Sequence, residues 1–254
     1  MESFRSFMIH ELPFRIALAA LLGLVAAGGN VLGGYFVVQR EWSRKYLQYF
    51  LALGAGYMLS VAFLEVIPES IHLAGENALL FVLLGYFLIH LFEHTIAPHF
   101  HFGEETHAEQ MHGHHARSTV LLGMTIHTFF DGVAIAAGFL VSTWLGVVIF
   151  VAVFLHKLPE GFTIASVVLA SGQSKGNAVR AAGLLGAATL AGVLLTSQLQ
   201  GQLKYALPVA GGVTVYVAAT DLLPEVNREP NWRMAFLVFL GVASLLILKL
   251  LFHL

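Results

Sequence analysis

The sequence predicts an all-α, polytopic membrane protein of eight transmembrane helices with inverted repeats (3+2+3), and three observations carry that reading. The first is composition: 57% of the 254 residues are hydrophobic and only 11% are charged, the balance of a chain whose solvent is largely hydrocarbon. The second is length, because apolar runs near the ~20 residues needed to cross a bilayer recur from end to end. No stretch is left over for a soluble domain, so residues 1–254 read as one transmembrane domain. The third is internal repetition. GYMLSVAFLEVIPE (56–69) overlays GVTVYVAATDLLPE (212–225), pairing Gly56 with Gly212, Glu65 with Asp221, Pro68 with Pro224 and Glu69 with Glu225. Residues 127–136 and 156–165 form a second such pair. In each case the two copies lie an odd number of spans apart and face opposite ways across the membrane, as in inverted-topology transporters.

The spans fall at about 14–38, 47–67, 77–97, 118–141, 144–171, 177–198, 206–226 and 232–252. The first follows a polar stretch with Arg5, Glu11 and Arg15 and precedes Arg40, Arg44 and Lys45 without a small-residue cleavage site, so it reads as a span and not a signal peptide. The second and seventh approach Pro68 and Pro224, which free the carbonyls of Leu64 and Thr220 and either kink those helices or end them. The third runs into a histidine-rich connection at about 99–117. The fourth and fifth carry the ionisable residues, and Pro159 frees the carbonyl of Leu155 beside His156. Glycines in spans 1 and 6 (Gly28, Gly29, Gly33, Gly34; Gly183, Gly186, Gly192) allow helices to approach closely, within one chain or between two copies in a homodimer.

Arg40, Arg44, Lys45, Arg117, Lys175, Arg180, Arg228 and Arg233 follow odd-numbered spans, against Arg5, Arg15, Lys204 and Lys249 on the other side. The positive-inside rule then puts the His-rich loop in the cytoplasm and both termini outside, with the chain in the cell (inner) membrane. A net charge of −2 gives no case for nucleic acid as a partner. The lipid bilayer is the surrounding partner. The absence of cysteine removes disulfides and thiolate metal sites, leaving nitrogen and oxygen ligands.

Chemistry concentrates in one pattern used twice, His-x-x-x-acid-Gly: His127, Asp131 and Gly132, then His156, Glu160 and Gly161. An i,i+4 spacing stacks both side chains on one helix face. Two neighbouring helices then aim two imidazoles and two carboxylates at one point, a donor set for a divalent transition metal. Ionisable groups at membrane depth are costly unless paired, hydrated or metal-bound, which favours a functional role. Around this centre, Glu65 and Asp221 read as stations near the outer and inner mouths, and His90, Glu93 and His94 as a helical cluster near the inner end of span 3. Glu69 and Glu225 read as wetted acids at span ends. The loop histidines His99, His101, His107, His112, His114 and His115, with Glu104, Glu105 and Glu109, suit loose metal collection or sensing.

At these residues the chain resembles the ZIP (Zrt/Irt-like) family of metal-ion transporters. HTFFDGVAIAAGF is similar to the family's fourth-helix signature, His-Asn-Phe-x-(Asp/Glu)-Gly-(Leu/Val)-Ala, and HKLPEGFTIA to its fifth, His/Gln-x-x-Pro-Glu-Gly. The resemblance implies transport of zinc or another divalent ion (iron, manganese, cobalt or cadmium) into the cytoplasm by alternating access. It implies no enzyme activity and no resident cofactor, the metal being the transported substrate. It further implies His127, Asp131, His156 and Glu160 as primary ligands, and a bundle of helices 1, 4, 5 and 6 sliding against a scaffold of 2, 3, 7 and 8. Two departures modulate the site. Thr128 stands where many members have Asn, and its hydroxyl is better suited to a hydrogen bond than to ligation. Lys157 stands where binuclear members have an acid or Asn, and no acid occurs in 177–198. The Lys157 ammonium, i,i+3 from Glu160, would fill the second cation position and leave a mainly mononuclear site. A different class, an intramembrane zinc-dependent hydrolase, could use the same donor set to activate water. It has no HExxH motif or additional base to support it.

Overall fold

The computed structural model describes residues 2–39, 44–95, 114–228 and 231–252, with side chains placed from Glu11, Tyr46 and Ser118 in the first three segments. Its helices are α1 (Glu2–Gln39), α2 (Arg44–Val61), α3 (Ile67–Ala74), α4 (Ala78–Thr95), α5 (His114–Val141), α6 (Thr143–Ala170), α7 (Lys175–Gln198), α8 (Leu203–Tyr216), α9 (Leu223–Asn227) and α10 (Trp232–Leu251). Among the described residues, seven helical stretches are long and apolar enough to cross a membrane. One of them, Tyr46–Thr95, has 50 residues, about 75 Å if straight, more than twice a bilayer's hydrocarbon thickness. It does not run straight: Gly75 has φ +66°, and a 3-10 turn, Gly75–Asn77, separates α3 from α4. Only a residue without a Cβ takes that left-handed backbone cheaply.

Neither Pro68 nor Pro224 ends its helix. Each follows a π-helical turn, Ala62–Val66 and Val217–Leu222, where the amides of Ile67 and Leu223 reach back five residues to the carbonyls of Ala62 and Ala218. The wider turn absorbs the missing proline donor, so the chain continues into α3 and α9. Both π turns carry an acid, Glu65 in one and Asp221 in the other.

The helices sort into two groups. Helices α1, α5, α6 and α7 pack on one another, while α2 packs on α10 and α4 on α8; the groups meet where α2 touches α6 and α5 touches α8. Four of the pairings, α1–α6, α5–α7, α2–α10 and α4–α8, are reciprocal glycine crossings. A Cβ on Gly33 of α1 would lie 2.1 Å from the Leu158 carbonyl oxygen of α6, and one on Gly161 of α6 would lie 1.9 Å from that of Asn30. Gly132 and Gly192 do the same for α5 and α7, Gly56 and Gly241 for α2 and α10, and Gly85 and Gly212 for α4 and α8. Backbones in direct contact need no larger side chain between them. Gly33, Gly186 and Gly192 are thus spent on packing inside the chain, whereas Gly28 and Gly183 have open space beside them.

A single residue, Ser142, connects α5 to α6. Its hydroxyl caps α6 by accepting from the Leu145 amide at 3.1 Å. Arg15 of α1, paired with Glu11 at 2.8 Å, donates to the last carbonyl of α5, Val141, at 3.0 Å. The hairpin is therefore pinned at its tip.

Candidate metal centre

Counting back from Ser142 along α5 and forward along α6 puts Asp131 and His156 at similar depth, roughly 17–21 Å from the tip at 1.5 Å per residue. The two copies of the His-x-x-x-acid motif accordingly meet in the middle of the hairpin. His127, Asp131 and His156 each contribute a ligand atom, all within 4.8 Å of one another, and no other group of three His, Asp or Glu ligands gathers this way among the described residues. His127 Nε2 and His156 Nε2 each lie 3.2 Å from the same oxygen, Asp131 Oδ2. Ligands at 2.0–2.2 Å from a tetrahedral zinc stand about 3.4 Å apart, so these separations are close to what an ion would need. All three residues are buried.

Hydrogen bonding prepares the imidazoles. His156 Nδ1 donates to the Ala152 carbonyl at 3.0 Å, which fixes the ring and aims Nε2 at Asp131 Oδ2, 3.2 Å away. His127 Nε2 is buried without a hydrogen-bond partner, as is Glu160 Oε1. Polar atoms gathered in a dry site are costly unless something pairs with them, and a cation would do so.

Glu160 stands apart from the other three ligands expected from the sequence. Its Oε2 accepts from Lys157 Nζ at 2.7 Å, and the same ammonium donates to Asp131 Oδ2 at 2.6 Å. Lys157, Glu160 and His156 are fully buried. The lysine bridges the carboxylates of the two helices. Thr128 does not enter the centre: its hydroxyl donates to the carbonyls of Met124 and Thr125 on its own helix.

Asn30 of α1 is a neighbour that reading the sequence missed. With its amide nitrogen turned toward the acceptors, it donates to the Lys157 carbonyl at 2.7 Å and to Glu160 Oε2 at 3.2 Å. A buried amide in an otherwise apolar run was the available signal. It is brought to α6 by the Gly33–Gly161 crossing.

The flanking residues are arranged less simply than stations on a path. Asp221 is buried, accepts from the Thr220 hydroxyl at 3.3 Å, and lies within electrostatic reach of both His127 and Glu93. Glu93 accepts from Tyr216 Oη at 2.7 Å. His94 Nδ1 donates to the His90 carbonyl at 2.8 Å, and the two rings stand 3.9 Å apart. His90, Glu93 and His94 thus do not converge on one point, because the glutamate turns toward α8. Glu65 is not an open carboxylate: it pairs with Lys249 of α10 at 2.7 Å and accepts from the Trp144 indole of α6 at 3.2 Å. Glu225, expected to be wetted, is buried and paired with Arg228 at 3.1 Å. His99, His101, His107 and His112 lie outside the described residues. His114 and His115 begin α5, where side chains are likewise outside the described part.

A family model described as "ZIP Zinc transporter" matches residues 12–120 and 104–249. The chain is 29% identical over 245 residues to the zinc transporter ZupT of Enterobacter sp. (strain 638), covering 90% of this chain and 93% of that one. It is 25% identical over 259 residues to zinc transporter ZIP9-B of Xenopus laevis, covering 82% and 84%. With the zinc transporter ZIP13 homolog of Drosophila melanogaster the identity is 31% over 144 residues, 52% of this chain and 41% of the relative.

Proposed function

The chain belongs to the ZIP zinc transporter family, and from that premise we propose that it moves divalent transition-metal ions, zinc foremost, into the cytoplasm through a mononuclear site between α5 and α6. The observation that carries this is the convergence of His127, Asp131 and His156 on one buried point, with Glu160 Oε1 free as a fourth donor. Two imidazoles and carboxylate oxygens suit Zn²⁺ and also admit Fe²⁺, Mn²⁺, Co²⁺ and Cd²⁺.

Alternating access is supported by the division of the helices. The proposed site belongs to the group α1, α5, α6 and α7, which meets the other group along α2–α6 and α5–α8. Sliding of one group against the other would carry the site between the two membrane faces. The eight-span reading is supported by the break at Gly75 within the 50-residue stretch, taken as two spans. The 3+2+3 inverted repeat is supported by the glycine crossings: exchanging spans 1, 2, 3 and 4 with 6, 7, 8 and 5 turns the α1–α6 pair into α7–α5, and the α2–α10 pair into α8–α4. The matching π turns at Glu65 and Asp221 fit the same exchange. In the proposed orientation both termini face outward across the inner membrane. The loop at about 99–117 lies in the cytoplasm, where its histidines collect released metal.

The test is reconstitution into liposomes loaded with a metal-sensitive dye. External Zn²⁺ is expected to enter only with the protein present, and competition by the other ions would rank them. Absence of influx from inserted, folded protein would overturn the transport reading and reopen that of an intramembrane hydrolase.

A further inference from the structure

One oxygen is wanted twice. An ion held by His127, Asp131 and His156 needs a lone pair of Asp131 Oδ2, and that oxygen accepts from Lys157 Nζ at 2.6 Å. The same ammonium is held by Glu160 Oε2 at 2.7 Å. No other lysine or arginine is paired with either carboxylate among the described residues; the imidazoles of His127 and His156 also face Asp131. The base of the lysine stem is seated against α1 at Gly29, where a Cβ would come within 3.1 Å of Lys157 Cβ, and beyond that fixed base the four-carbon chain lets the head swing.

Resting on the transport reading above, we infer that Lys157 is a tethered counter-cation that exchanges with the transported ion. When the metal reaches Asp131, the ammonium leaves that carboxylate and stays anchored on Glu160; when the metal departs, the ammonium returns. The physical reason lies in the empty carrier. Two buried carboxylates without a cation are costly at membrane depth, and a carrier that must recross the membrane empty would stall or require another ion. Lys157 travels with the site, so the return step needs no second cation. Asn30, bound to the Lys157 carbonyl and to Glu160, keeps the anchoring carboxylate in place during the swing.

The consequence is specific to net uptake. Exchange of metal for metal never requires the empty carrier to return, whereas filling of metal-free vesicles does. The experiment compares both in proteoliposomes: Zn²⁺ uptake into chelator-loaded vesicles against isotopic Zn²⁺ exchange into vesicles preloaded with Zn²⁺. The parent is expected to perform both at similar rates. Lys157→Met is expected to depress net uptake relative to exchange by roughly tenfold or more, through the lost population of returning carriers, and Lys157→Arg to restore the parent's ratio. An unchanged ratio in Lys157→Met would overturn the inference while leaving transport intact. So would a parent protein that exchanges Zn²⁺ but shows no net uptake, a result that does not depend on any variant folding. A parent that does neither would sink the transport reading itself.

Discussion

Lys157–Glu160 and Lys249–Glu65 are ion pairs of equal length, 2.7 Å each, in opposite surroundings. The first is wholly buried; in the second, the lysine side chain is 31% exposed and the carboxylate 11%. Each pair has a third partner from another helix, Asp131 of α5 for the first and Trp144 of α6 for the second. The comparison teaches that distance alone does not set what a pair is worth. In the buried pair desolvation is already spent, so removing one member strands a charge at a cost of about 3–5 kcal/mol. The more open pair reaches the molecular surface through its lysine, and where water reaches and screens the survivor the loss is about 0–1 kcal/mol. The difference also separates roles: in the proposed site the buried lysine competes with the ion for Asp131, whereas the Lys249–Glu65 pair ties the π turn beside α2 to the end of α10.

The largest effects should come from the buried side. His156→Ala and Glu160→Ala are each expected to abolish Zn²⁺ uptake at matched membrane expression, because the remaining donors are too few to strip water from the ion; parent-level uptake by either would move the site elsewhere. Lys157→Met should lower the stability of the metal-free protein by about 3–5 kcal/mol. Thermal unfolding in detergent would follow this, with added Zn²⁺ recovering part of the loss by occupying the space between the carboxylates. Equal sensitivity of Lys157→Met and Lys249→Gln would erase the contrast.

Acidification is the next probe. Protons compete with metal for the imidazole and carboxylate lone pairs, so affinity falls as the pH is lowered. A binding curve that stays flat from about pH 8 to about pH 5 would argue against histidine ligation. The smallest effect belongs to Lys249→Gln, with an expected stability change within about 1 kcal/mol. A larger loss would mean that the Glu65, Lys249 and Trp144 cluster is a structural keystone despite its exposure.

The helical repeat explains why so much of the candidate site was legible in the chain. His127 and Asp131, or His156 and Glu160, share a face because four residues make about one turn, and Lys157 lies within reach of Glu160 for the same reason. Apolar run length likewise located the helices to within a few residues, although α1 begins well ahead of the expected span and α3 continues past Pro68. The repeated acid-x-x-Pro-Glu motif marked two equivalent places. Its chemistry did not reveal that the helix would widen into a π turn instead of kinking or stopping.

What the sequence by itself determined is therefore everything governed by local period: an all-helical membrane chain, and two metal-type faces spaced so that a hairpin brings them level. Tertiary structure decided which long side chain meets which partner. Lys157 bridges to Asp131 across the hairpin, Glu160 is drawn toward that lysine and apart from the converging His127, Asp131 and His156, Asn30 enters from α1, and Glu65 is taken by Lys249 from the far end of the chain. Periodicity fixes the direction in which a side chain leaves its own helix, but partners on other helices depend on crossings set by glycine contacts and on flexible stems that find their charge only once those crossings exist.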